Sequence, residues 1–82
     1  MVGLFLKFKN YPCRDIKRAL KNLGFHPVSQ KGSHEQWEKV FSGIKYKVTV
    51  DCHNGEVKAK DVRSIVAQAG VSKSAFLKAV SD

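Results

Sequence analysis

With 82 residues the chain forms one domain that buries only about 60% of its unfolded surface, so it has room for two packed layers and none for a separate substrate domain. Its formal charge of +8 and pI near 9.8 point to an anionic partner. Nucleic acid is the commonest one for a small basic domain, although a basic surface that only aids solubility fits the same balance.

In chain order, Met1 to Phe8 is apolar but interrupted by Lys7 and closely followed by Lys9. No small-residue cleavage site follows, so it reads as neither a signal peptide nor a membrane span, and a soluble, cytoplasmic protein is expected. Leu4, Leu6 and Phe8 alternate as an added edge strand or a partner-binding strand would, and a frayed terminus fits the same residues. From Asp15 to Leu23 the apolar residues Ile16, Ala19, Leu20 and Leu23 recur at helical spacing, with Arg14, Lys17, Arg18 and Lys21 on the remaining face. Pro12 suits the first turn of this helix and Gly24 the left-handed residue after its last turn.

Phe25 to Gln30 reads as a short strand that Pro27 confines to an edge or a strand start. Ser33 to Phe41 and Ile44 to Cys52 are two alternating runs separated by Ser42-Gly43, a hairpin signal. On the second run Ile44, Tyr46, Val48, Val50 and Cys52 share one face, leaving Lys45, Lys47, Thr49, Asp51 and His53 on the wet one. Trp37 falls on the core face by the same parity, and stacking on a base is its alternative role. After the turn-like Asn54-Gly55, Val62, Ile65, Val66 and Ala69 repeat the helical spacing, with Asp61 as the expected cap and Gly70 as terminator. Ser72 opens a last short helix with Phe76, Leu77 and Val80 inward. The order is helix, three antiparallel strands, helix, short helix: an α+β domain with helices on one sheet face.

The cysteines Cys13 and Cys52 lack Cys-x-x-Cys spacing and are too few to staple a secreted scaffold, so reduced thiols and no disulfide are expected. Cys13, His26, His34, Cys52 and His53 also lack the paired spacing of zinc ligands, and no metal, cofactor or small-molecule partner is expected.

The run Lys31-Gly32-Ser33-His34 at the mouth of a strand carries the chemistry. Glycine lets backbone approach a ligand, the Ser33 hydroxyl donates, and the His34 imidazole transfers protons near neutral pH. Alone, His34 reads equally as a surface histidine at a strand start. A tight hairpin at Ser42-Gly43 pairs Phe41 with Ile44, Glu38 with Lys47 and His34 with Asp51, so Asp51 is placed to orient the imidazole, with His53 diagonal on the same face. His53 is a candidate second proton-transfer group or a loop residue that caps local backbone. Lys31, Lys45, Lys47 and Lys58 are candidate contacts to an RNA backbone, together with Gly32 and Ser33, or simply a solvated face.

Three ordered stretches resemble the HicA-type toxins, small RNA-cleaving members of bacterial toxin–antitoxin pairs. They are Ala19-Leu20-Lys21-Asn22-Leu23-Gly24-Phe25, then Gln30-Lys31-Gly32-Ser33-His34, then Val48-Thr49-Val50 with His53, Arg63-Ser64-Ile65 and Gln68-Ala69-Gly70. The resemblance covers roughly residues 13 to 80 and leaves 1–12 as an extension of the single domain. It implies a double-stranded-RNA-binding-like fold, metal-independent cleavage of mRNA with His34 as catalytic residue, and a cognate HicB-type antitoxin. This chain departs from the family pattern at Ser29, usually arginine, at Asp51, usually proline, and at Lys60-Asp61-Val62, usually Gly-Thr-Leu. A non-catalytic RNA-binding module of the same fold is the alternative function, and a basic adaptor for an acidic protein leaves Gly-Ser-His unexplained.

Overall fold

A computed structural model describes residues 8–82. Its elements are β1 (Tyr11–Pro12), α1 (Cys13–Asn22), β2 (His26–Lys31), β3 (His34–Phe41), β4 (Ile44–Asp51), β5 (Glu56–Val57), α2 (Ala59–Ala69) and α3 (Lys73–Ser81). Strands β2, β3 and β4 form an antiparallel sheet in that order, and β1 pairs with β5 in a separate two-stranded ribbon. The architecture is α+β and compatible with the double-stranded-RNA-binding-like fold. Leu4 and Leu6 lie outside the described residues, whereas Phe8 is half-buried against the core.

The sheet register follows from its turns. Ser42 and Gly43 both have positive φ (53° and 76°), the type I′ pattern whose twist matches paired strands. That turn sets Phe41 opposite Ile44, Glu38 opposite Lys47 and His34 opposite Asp51, the pairing expected from the sequence. A second two-residue turn joins β2 to β3: Lys31 pairs with His34 across Gly32, whose φ of +61° favours glycine.

Alternation then sorts the faces. Trp37, Val48 and Val50 are buried with Ile16, Ala19, Leu20, Ile65, Val66 and Phe76 in one core, so Trp37 packs inside, and its indole donates to Glu35 Oε1 at 2.7 Å. Ile44 is exposed because the β3–β4 tip extends past this core. Leu77 is only half-buried, with Ala79 taking an inward place beside Phe76 and Val80.

Several ends differ from the sequence expectation. Pro12 sits just outside α1 as its N-cap, since the helix begins at Cys13. Asp61 lies in the first turn of α2 rather than at its cap. The cap comes from far along the chain: the Ala59 N–H donates to Asn10 Oδ1 at 2.7 Å, which no local pattern reveals. Ser72 does cap α3, accepting from the Ala75 N–H at 3.1 Å, and Gly70 ends α2 in the left-handed conformation. Gly70 also admits Tyr46, whose ring would lie 2.8 Å from any Cβ added there.

The largest correction concerns the cysteines. Cys13 and Cys52 are joined in a disulfide, with Cα atoms 6.0 Å apart and a sequence separation of 39. The spacing rules applied to the sequence look for local pairs, whereas here the fold brings the first residue of α1 against the end of β4.

Candidate active site

The open face of the sheet carries ordered rows of side chains. At its end Lys31, His34 and Asp51 lie in one row across β2, β3 and β4. The next row is Ser29, Gln36 and Thr49, and the row beyond that is His26, Glu38 and Lys47. Thr49 Oγ1 donates to Gln36 Oε1 at 3.1 Å, and the outward Thr49 N–H donates to Gln68 Oε1 at 2.9 Å. Gln68 thus covers part of an edge strand that would otherwise offer unpaired donors.

Asp51 is the hub of the end row. Its Oδ1 accepts from Ser33 Oγ at 2.9 Å and from His53 Nε2 at 3.0 Å, while Oδ2 faces His34 Nε2 at 3.5 Å. Both imidazoles are more than half exposed, at 57% for His34 and 56% for His53, against 26% for the Asp51 side chain. Asp51 titrates below the ordinary carboxylate range. The Ser33 hydroxyl is the largest cause; partial burial opposes it, and the His53 hydrogen bond and the charges of His34 and His53 add to the lowering.

His53 reaches this cluster through a third tight turn. His53 and Glu56 exchange both backbone hydrogen bonds, at 3.0 and 2.9 Å, around Asn54 and Gly55, which have φ of 53° and 77°. The turn folds the chain back directly after β4. Its neighbour Cys52 donates its N–H to Ser33 O at 3.1 Å, and the Cys13 N–H donates to Gly55 O at 2.9 Å. An imidazole that donates Nε2–H to Asp51 keeps Nδ1 as an acceptor directed elsewhere. Two solvent-facing proton-transfer groups on one carboxylate are what the arrangement offers chemically.

The other sequence candidates fall into two groups. Lys31 is beside His34, and Gly32 and Ser33 form the adjoining turn, although the Ser33 hydroxyl is directed at Asp51 rather than outward. Lys45 and Lys47 share the open face but lie towards the hairpin tip, where Nζ atoms at 3.3 and 3.9 Å contact the Glu38 carboxylate. Lys58 follows β5 and pairs with Glu56 Oε1 at 3.1 Å. Among the described residues no group of three His, Cys, Asp or Glu side chains is arranged to hold a metal ion.

A small basic α+β domain with an open sheet face and a His–Asp–His cluster at one end is the class that fold and site define. Residues 13–71 match the family described as the HicA toxin of bacterial toxin–antitoxin systems. The match spans more than half of the chain, and the chain belongs to this family. It ends before α3, short of the residue 80 expected from the sequence, yet α3 completes the core through Phe76. Comparison with curated proteins and with solved structures gave no significant match. No helix among the described residues is long and apolar enough to cross a membrane.

Proposed function

We propose that this HicA-family toxin is a metal-independent endoribonuclease that acts on mRNA in the cytoplasm and is restrained by a HicB-type antitoxin. RNA carries its own nucleophile, the 2′-hydroxyl. A protein therefore needs only a base for that proton, an acid for the leaving 5′-oxygen and donors for the charge that builds on phosphorus. The observation that carries the reading is the carboxylate of Asp51 shared by His34 and His53. His34 acts as one proton-transfer group and His53 as its complement, while Asp51 and Ser33 orient them. Lys31 and the Gly32 backbone lie nearest a phosphate bound over His34, and Lys45, Lys47 and Lys58 extend the cationic track.

The test is cleavage of a single-stranded RNA by the purified full chain in excess chelator, beside His34→Ala. The wild-type protein cuts, and the variant loses at least 100-fold in rate, the scale of general acid–base catalysis. RNA bound by both proteins and cut by neither favours instead a binding module without catalysis.

A further inference from the structure

We infer that the Cys13–Cys52 disulfide is a positioning brace for His53 and Asp51, so that the redox state of this pair sets the activity of the site. The inference rests on the nuclease reading for its effect on rate, but its structural half stands alone. Cys52 lies between Asp51 and His53 in sequence, and its sulfur is bonded to the first residue of α1. That helix is anchored by Ile16, Ala19 and Leu20, all fully buried. The segment being held has no such anchorage, since His53, Asn54 and Gly55 are all exposed. Apart from the cross-link, it is tied by the His53–Asp51 hydrogen bond, the two Cys-backbone hydrogen bonds, the exchanged pair between His53 and Glu56, and a ribbon of two residue pairs between β1 and β5. Hydrogen bonds at an exposed turn open readily, and the covalent link is the firm tie at the start of the turn, while the fully buried Val57 pins its far end.

The chemistry is reversible thiol–disulfide exchange. A dithiol donor attacks as thiolate at the Cys52 sulfur, which is half-buried, and releases Cys13, which is buried, as its thiolate. The donor's second thiol then displaces Cys52. The donor ends as a disulfide, and two electrons and two protons end on the cysteine pair. Re-oxidation returns them to a small disulfide oxidant. In a reducing compartment a lone disulfide of this kind works as a sensor rather than as a permanent staple. Oxidising conditions then give the toxin its fully assembled site.

The experiment compares the oxidised full chain, the same chain reduced with dithiothreitol, and Cys13→Ser, which leaves Cys52 without a partner. Amide hydrogen exchange is followed at His53 and Glu56, with Trp37 in the central strand β3 and Val48, its buried partner on β4, as internal references, and RNA cleavage is measured on the same samples. Reduction is expected to speed exchange at His53 and Glu56 at least tenfold more than at Trp37 and Val48. It is also expected to lower kcat about tenfold while KM stays within twofold, because three of the four proposed RNA-binding lysines, Lys31, Lys45 and Lys47, are held in the sheet outside the loosened turn. Cys13→Ser should match the reduced form with or without dithiothreitol. Equal exchange ratios in the two redox states overturn the brace, as does uniform acceleration or unfolding on reduction, which would make the disulfide a global staple only. If no form cuts RNA, the nuclease reading fails, and the exchange ratios still decide the brace.

Discussion

His34, Asp51 and His53 illustrate how much a single position depends on its neighbours. The carboxylate at 51 gives two imidazoles a common acceptor, and it stands where the family pattern noted above has proline, whose side chain offers no acceptor. Asp51→Asn is expected to keep the fold and lower cleavage by roughly tenfold or more, through loss of orientation rather than of the proton-transfer groups themselves. The same residue governs part of the acid stability. Its folded pKa is depressed, so the unfolded chain binds its proton more readily. The stability it contributes is present above the ordinary carboxylate range, near pH 3.9, and is lost as pH falls through the lower folded value. Thermal melts of wild type and Asp51→Asn should therefore converge as the pH drops below about 4, and a constant gap down to pH 2 would remove Asp51 from the acid transition. The His34–Asp51 pairing was legible in the sequence because a two-residue turn and strand parity determine it. The Ser33 hydrogen bond was not, because Ser33 lies in the turn, outside the paired ladder.

The elements were legible where a local signal sets them. Helical spacing located α1 and α2, glycines ended them, and Ser42-Gly43 fixed the β3–β4 register. What escaped was tertiary: the cap from Asn10 to α2, the β1–β5 ribbon, the contact of Gln68 with the sheet edge, and above all the pairing of Cys13 with Cys52. Each joins residues distant in sequence, where neither periodicity nor spacing carries information. Two element-scale predictions follow from such contacts. Gly70→Ala places a methyl against the Tyr46 ring at a left-handed φ, and is expected to destabilise the fold by about 1–3 kcal/mol, measured by denaturant titration. On β3, Glu38 engages both Lys45 and Lys47. Glu38→Gln should release them and tighten RNA binding a few-fold, with a steeper salt dependence, since each added phosphate contact contributes about −0.7 to the log–log slope on single strands. An unchanged slope would take the hairpin lysines out of the RNA track.

At the scale of the whole molecule, one sheet face is sealed by helices and the other is open, basic and ends in the His–Asp–His cluster. The family places the chain in a toxin–antitoxin pair, and an acidic, shape-matched partner covering the open face is the most direct way to restrain so small a toxin. Antitoxin and RNA are accordingly expected to compete, with hydrogen-exchange protection over residues 31–35 when the antitoxin binds; a ternary complex holding uncut RNA would indicate inhibition from elsewhere. The central claim, that the imidazoles promote attack by the RNA's own 2′-hydroxyl, is tested most directly by the ends of the cut strand. Using an oligoribonucleotide cleaved in chelator, mass spectrometry of the products should find a 2′,3′-cyclic phosphate or 3′-phosphate on one fragment and a 5′-hydroxyl on the other. A single 2′-deoxy substitution at the cut site should abolish cleavage without loss of binding. Fragments carrying a 3′-hydroxyl and a 5′-phosphate, or continued cleavage at the deoxy position, would contradict the mechanism.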